Sequence, residues 1–346
     1  MSNLPEPGLT AADAELVAGI LARQRRSLAK AITLIESTRH DHQARAQALL
    51  EKLMPYSGQT GQCDKCIRVG ISGVPGVGKS TFIEALGMHL VEQGRRVAVL
   101  AVDPSSSLSG GAILGDKTRM ERLSQREDAY IRPTPTGGSL GGVAEKTREA
   151  MLLCEAAGFE VIIVETVGVG QSETSVAGMT DVFVLMQLPN VGDDLQAIKK
   201  GIVELADLVL FNKADLDPQG AENAALQMGS ALHLLRPNSP HWQPRVLKVS
   251  ATQEQGIAVF WQAIEEYCKT MRDTGEFSAK RRRQALAWMW TLIESGLHGR
   301  FRKHPSVRRE LPALATAVEA GELPPALAAE RLLDCFKEQN LEPLAE

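Results

Sequence analysis

Residues Gly73-Val74-Pro75-Gly76-Val77-Gly78-Lys79-Ser80 fill the pattern G-x-x-x-x-G-K-[ST], and Thr81 follows at once. The chemistry that this spacing serves is phosphate binding. Its glycines let backbone N–H groups converge on phosphate oxygens. A helix N-terminus behind the loop favours negative charge. Lys79 has the reach for β- and γ-phosphates, and the Ser80 hydroxyl suits Mg²⁺. Residues 73–81 are therefore the expected nucleotide phosphate site, with Lys79 as its cation.

Further polar groups follow the apolar runs downstream. Glu165-Thr166-Val167-Gly168 places a carboxylate where Mg²⁺ is held through water, and the Gly168 N–H where a γ-phosphate is sensed. Asn212-Lys213-Ala214-Asp215 reads as N-K-x-D, a base-reading loop. The Asp215 carboxylate accepts from both the N1–H and the 2-amino group of guanine; adenine offers neither donor, which would leave a buried carboxylate unpaired. Asn212 would brace the loop and the Lys213 stem would cover the base. Ser250-Ala251-Thr252 matches the element whose backbone N–H meets the guanine oxygen. Asp103 and Asp116 stand near the expected metal and are candidates for its shell or for orienting water, although Asp103-Pro104-Ser105 also reads as a plain turn. The position directly after Gly168 is Val169, where small Ras-like GTPases carry a water-orienting Gln. The nearest glutamine is Gln171, so unaided hydrolysis is expected to be slow.

These residues need a scaffold that holds strand ends together. Strand candidates are 67–71, 96–102, 161–164, 182–186, 207–211 and 246–249, each short, apolar and rich in Val, Ile or Leu, as buried parallel strands are. Helical patterns alternate with them. The expected class is α/β: a doubly wound, mostly parallel sheet, with ligands at the C-terminal ends of its strands. Residues 1–60 read as an N-terminal helical extension, 61–270 as the nucleotide core and 271–346 as a C-terminal helical segment. In the first, Thr10 caps a helix with Asp13 three positions on. Leu16, Val17, Ile20 and Leu21 recur at helical intervals, and a second helix carries Ala44, Leu49, Leu50 and Leu53.

The chain has 346 residues, of which 44% are hydrophobic and 23% charged, and a net charge of −4. That balance supports a sizeable core and carries no basic footprint for nucleic acid. The five cysteines are sparse and odd in number, which argues against a disulfide framework and for a reducing compartment. No signal-peptide pattern opens the sequence and no apolar run is long enough to span a bilayer, so a cytoplasmic, non-membrane protein is expected. Cys63-Asp64-Lys65-Cys66 is a lone C-x-x-C and supplies only two zinc ligands. Lys280-Arg281-Arg282-Arg283 reads as a solvated helix start. Trp288 and Trp290 cannot share one helix side, which leaves one for solvent or a partner.

The combination of Gly-Val-Pro-Gly-Val-Gly-Lys-Ser-Thr, Val-Asp-Pro-Ser-Ser-Ser, Leu-Gly-Asp-Lys-Thr-Arg-Met, Glu-Thr-Val-Gly-Val-Gly-Gln and Asn-Lys-Ala-Asp resembles the GTPase chaperones of adenosylcobalamin-dependent methylmalonyl-CoA mutase. The resemblance covers most of the chain. It implies a P-loop GTPase that uses E-x-x-G, binds GTP or GDP with Mg²⁺, and forms a homodimer through its C-terminal arm. It implies a chaperone that docks on the mutase, gates cofactor loading and protects or reactivates the enzyme. Ser80, Glu165, Asp103 and Asp116 match the family's metal and switch groups. Gly168 and Gln171, and the charged residues Asp193, Asp194, Lys199 and Lys200 of a second mobile segment, match its switches. A metallochaperone GTPase would carry Cys- and His-dense motifs that are not found here. An older label for such proteins, a kinase linked to periplasmic amino-acid transport, fits poorly with a guanine-reading loop.

Overall fold

A computed structural model describes residues 9–57, 66–102, 120–134, 140–166, 172–189 and 200–337. In chain order the helices are α1 (Ala11–Leu21), α2 (Arg25–Glu36), α3 (His40–Leu53), α4 (Lys79–Glu92), α5 (Glu121–Ser124), α6 (Leu140–Ala156), α7 (Ser172–Ala177), α8 (Lys200–Val203), α9 (Pro218–Leu234), α10 (Ile257–Asp273), α11 (Glu276–Lys303), α12 (Pro305–Glu319) and α13 (Pro325–Lys337). The strands are β1 (Ile67–Gly73), β2 (Val97–Val102), β3 (Ala129–Thr134), β4 (Val161–Thr166), β5 (Val182–Gln187), β6 (Leu208–Phe211) and β7 (Arg245–Lys248). They form one seven-stranded sheet in the order β3-β2-β4-β1-β5-β6-β7, with every neighbouring pair parallel.

The apolar strand runs are buried on both faces, as a parallel sheet between helices requires. Val69, Ile71, Val161 and Ile163 face α4 and α10, where Phe82 meets Phe260 edge-on at 5.0 Å. The alternate residues Leu100, Ile162, Val164 and Leu185 pack under α6 and the N-terminal helices. Thr10 caps α1 as its spacing predicts, accepting from the Asp13 N–H at 3.2 Å. Asp13 is itself fastened to α3 by two hydrogen bonds from Arg45, at 3.1 and 2.8 Å. The N-terminal segment holds three helices where the apolar spacing suggested two: the chain breaks between α1 and α2 at Arg23, with φ of +62°. No glycine or proline marks that break. The strand β3 is also absent from the sequence-based set. Its Pro133 argues against a central strand, and the structure resolves this by placing β3 at the sheet edge.

One sequence expectation is overturned at the opposite, N-terminal edge of the sheet. Arg281 belongs to a basic run that reads as solvated, yet it is 6% exposed. Its guanidinium donates to both Asp181 carboxylate oxygens, at 2.8 and 2.6 Å, and to the Cys66 carbonyl at 3.0 Å. Arg68 from β1 pairs in the same way with Glu155 from α6, at 2.7 and 2.9 Å. Lys280 donates to the Asp181 carbonyl at 2.6 Å. Arg281, Asp181, Arg68 and Glu155 are buried but matched in charge and geometry, the condition under which buried pairs persist. Only Arg282 and Arg283 of the run are exposed.

Burial pushes the Asp181 carboxyl up, but the charge and hydrogen bonds of Arg281, with those of Arg68, outweigh it and hold the group below its ordinary value. A depressed carboxyl stabilises the fold above its unfolded pKa of about 3.9. That contribution is lost as the pH falls through the folded value. Asp181→Asn strands the Arg281 cation and is expected to cost about 3 kcal/mol at neutral pH. Denaturant midpoints measure this. The gap between wild type and variant should close as the pH drops below about 4; a gap that stays constant with pH would contradict the pairing.

The chain divides into two compact units, Met1–Gln284 and Ala285–Glu346. In the second, Phe301 and His304 meet Phe336 edge-on at 5.6 and 5.2 Å. Leu286, Met289, Trp290, Ile293 and Leu297 are exposed and recur at helical intervals along α11. Trp290 is the exposed tryptophan of the pair, and Trp288 is half-buried. Among the described residues no helix is long and apolar enough to cross a membrane.

Candidate nucleotide site

β1 is the central strand of the sheet, and its loop to α4 emerges at the C-terminal edge. Ligands of doubly wound sheets bind at that edge. Gly73 ends β1, Val74 to Val77 turn, and Lys79 and Ser80 begin α4, followed by Thr81. Gly78 caps α4 with φ of +90°. A Cβ there would stand 2.7 Å from Asn212 Nδ2. Both the backbone and the space thus demand glycine, and they do so because the loop at 212–215 closes directly on the loop at 73–78.

Asn212 is the brace between them. It is almost fully buried; its Nδ2 donates to the Val77 carbonyl at 2.8 Å, and its Oδ1 accepts from the Ala251 N–H at 3.1 Å. Lys213 holds φ of +60° and donates from Nζ to the Gly76 carbonyl at 3.0 Å. A non-glycine residue in the left-handed region needs such support. One amide and one ammonium therefore lock the loops at 73–78, 212–215 and 250–252 together. The Ala251 N–H serves that brace in this state. Ser250 Oγ lies 3.3 Å from Thr252 Oγ1 and accepts from the Gln253 N–H at 3.3 Å, which shapes the turn.

Asp215 ends the loop at 212–215 and is half-buried. Its Oδ2 accepts from Gln253 Nε2 at 3.4 Å, and its Oδ1 is buried with no hydrogen-bond partner among the described residues. Buried carboxylate oxygens are rarely left so. The arrangement leaves one acceptor without a donor among the described residues.

The phosphate end holds the charges. Lys79 Nζ donates to the carbonyls of Gly73 at 2.7 Å and Val74 at 3.3 Å. Burial pulls the pKa of its ammonium down, while the charges of Glu165 and then Glu173 act to raise it. Ser80 Oγ donates to Glu165 Oε1 at 3.1 Å, and Glu165 is buried at the end of β4. Beside Glu165, Thr166 Oγ1 donates to Ser72 Oγ at 3.0 Å, fixing β4 against β1. Ser80 and Glu165 offer hard oxygen donors of the kind Mg²⁺ takes.

Asp103, Asp116, Gly168, Gln171, Asp193, Asp194 and Lys199 lie outside the described residues, as does Cys63. Lys200 begins α8, and its side chain is likewise outside them. Cys66 is buried at the foot of β1; burial, then the charge of Glu155, pushes its thiol well up, which disfavours a metal-binding thiolate. Among the described residues no group of three or more His, Cys, Asp or Glu is placed to hold a metal ion.

The structure adds residues that the sequence did not single out. Glu173, on α7, is nine-tenths buried and is the second acid that acts on Lys79. Gln187 ends β5 on the same edge of the sheet and is also buried. Gln253 reaches Asp215. None belongs to a short motif, and only the strand order brings the first two beside the loop at 73–80.

A family model described as methylmalonyl Co-A mutase-associated GTPase MeaB matches residues 28–306. A putative GTPase of Caulobacter vibrioides is 54% identical over 317 residues, covering 92% of this chain and 95% of that one. The mitochondrial methylmalonic aciduria type A homolog of Mus musculus is 47% identical over 330 residues, covering 94% of this chain and 80% of the relative. Among solved structures, a protein titled LAO/AO transport system kinase superposes with a TM-score of 0.75 at 37% identity, covering 95% of this chain and 99% of that one.

Proposed function

The chain belongs to the methylmalonyl-CoA mutase-associated GTPase family, and on that premise we propose that it is a GTP-driven chaperone of an adenosylcobalamin-dependent methylmalonyl-CoA mutase. It hydrolyses GTP to GDP and phosphate. The observation that carries the guanine reading is the buried Asn212 brace, which presents the Asp215 carboxylate at a fixed distance from the phosphate loop. The unpartnered Asp215 Oδ1, with Oδ2 beside it, suits the N1–H and 2-amino donors of guanine. The same carboxylate meets no donor at those positions of adenine, so the base loop opposes an ATP-dependent kinase.

In the proposed assignment, residues 73–81 cradle the phosphates, Asn212, Lys213 and Asp215 hold the base, and Ser250, Ala251 and Thr252 close over it. Lys79 leaves the carbonyls of Gly73 and Val74 for the β- and γ-phosphate oxygens. Phosphate contacts restore the charge preference that burial has weakened. Mg²⁺, when bound, neutralises charge developing between the β- and γ-phosphates; Ser80 Oγ would ligate it, and Glu165, with Asp103 and Asp116, would complete its shell. Gly168, Gln171, Asp193, Asp194, Lys199 and Lys200 are the proposed switch residues that report the nucleotide to the mutase.

We further assign residues 1–60 as an extension, 61–270 as the GTPase core and 271–346 as an arm that forms a homodimer in the cytoplasm. The exposed apolar stripe of α11 supports the arm's role, because such a stripe on one helix side suits a second copy. Phe277 and Arg281 are buried in the first unit, so a deletion that tests dimerisation is cut after Gln284 and keeps Asp181 paired.

The decisive experiment mixes the full-length protein with an adenosylcobalamin-dependent methylmalonyl-CoA mutase. GTP turnover should rise, and the two proteins should co-migrate in size-exclusion chromatography with light scattering, the chaperone entering as a dimer. Unchanged turnover together with separate elution would refute the chaperone reading and leave a GTPase of another partner.

A further inference from the structure

Val169 stands where a water-orienting glutamine sits in Ras-like enzymes, yet the chain is a GTPase. The groups that could replace that glutamine lie on one face of the three central strands. Along β4, Ile162 and Val164 face the core beneath α6, so Thr166 continues that face. Along β5, Phe183 and Leu185 do the same, and Gln187 follows them. On β1, Ser72 shares the face and is bonded to Thr166.

Helix α7 covers this face. A Cβ at Gly70 would lie 2.7 Å from Val176 Cγ1 and 2.7 Å from Thr180 Oγ1, so α7 rests directly on β1 where there is no side chain. The chain descends from α7 to Asp181, whose N–H donates to the Arg68 carbonyl near the foot of β1. Glu173, three residues before Val176, therefore sits on the same helix side and about 4.5 Å higher. At the rise of a strand, that height is the level of Ile71 and Ser72, just below the loop at 73–80, in keeping with its action on Lys79.

Both side chains are buried and incomplete. Among the described residues, Glu173 Oε2 and Gln187 Nε2 have no hydrogen-bond partner. One is an acceptor and the other a donor. A water molecule that donates to the first and accepts from the second keeps one lone pair for attack.

We propose that Glu173 and Gln187 hold the nucleophilic water of GTP hydrolysis, with Glu173 as its general base. The water oxygen bonds to the γ-phosphorus while one of its protons passes to the Glu173 carboxylate. The bond from phosphorus to the β–γ bridging oxygen breaks, and its electron pair leaves with GDP. Glu173 then returns the proton to the phosphate product. Gln187 fixes the water without exchanging a proton. This assignment rests on the guanine-nucleotide reading of the loop at 73–80.

The test separates binding from turnover in the full-length protein. Affinities for GDP and for a non-hydrolysable GTP analogue are measured by fluorescence, and single-turnover hydrolysis by phosphate release, for wild type, Glu173→Gln, Gln187→Met and the double variant. Glu173→Gln should lose about 10²-fold in rate. Gln187→Met should lose about 10-fold, the worth of one hydrogen bond. The double variant should be no slower than Glu173→Gln, because the two act on one water. Affinities and thermal midpoints should stay within about threefold and a few degrees. A Glu173→Gln rate within twofold of wild type overturns the proposal. A fall in rate matched by an equal fall in affinity overturns it as well, since a merely structural carboxylate would behave so. Wild-type protein that fails to bind guanine nucleotides refutes the underlying site reading instead, which keeps the two failures apart.

Discussion

Lys79→Ala is expected to lower GTP turnover by about 10³-fold and to weaken GTP binding more than GDP binding, because the proposed role of its ammonium is to meet the β- and γ-phosphates. In the structure Lys79 Nζ is held by two backbone carbonyls, Gly73 and Val74, and among the described residues by no side chain. Both bonds are to groups that water can satisfy once the lysine is gone, so the fold should survive. The ammonium is also partly desolvated, with its pKa drawn down by burial. A cation in that condition gains more from phosphate oxygens than an exposed one, since less hydration is lost on contact. Phosphate-release kinetics and fluorescent-nucleotide titration check the prediction. Unchanged hydrolysis with an intact thermal midpoint would remove Lys79 from the site.

Asp215→Asn is expected to invert base preference, with guanine nucleotides bound about 10²-fold more weakly and xanthine nucleotides gained. An aspartate accepts at both oxygens, which matches the N1–H and 2-amino donors of guanine. An asparagine keeps one acceptor for N1–H but turns an N–H toward the 2-position. There it clashes with the guanine amino group and pairs with the xanthine 2-oxygen. The prediction depends on the brace, because a loop free to shift could re-aim the side chain. Asn212 ties the loop to Val77 and Ala251, and Gln253 touches Asp215. Competition titration with GTP and xanthosine triphosphate decides the matter. A variant that still prefers GTP would mean that another group reads the 2-position.

The two predictions draw on different kinds of information. The loop at 73–80 was legible from spacing, since its phosphate-binding geometry is made by contiguous residues between one strand and one helix. Glu165 and the loop at 212–215 were legible too, because an apolar parallel strand announces itself and the residue after it must lie at the ligand edge. The strand β3 escaped the same reasoning. Pro133 and Arg132 break its apolar run, and only an edge position makes them acceptable. The run Lys280–Arg283 misled for a related reason. Composition marks charge as solvated, and nothing local to α11 shows that Asp181, a hundred residues away, waits beneath it.

The sequence by itself determined the ligand class, the doubly wound class of fold and the family, because all three are carried by short motifs and by the alternation of apolar runs. Tertiary structure alone decided how those motifs become one site. The Asn212 brace joins groups 135 residues apart, and the burial of Arg281 joins groups 100 residues apart. The proposed sharing of one water by Glu173 and Gln187 rests on β5 lying beside β1 and on α7 resting at Gly70. The physical reason is that a side chain's chemistry depends on its burial and on the partners left to it. Strand order sets both, and local sequence does not encode strand order.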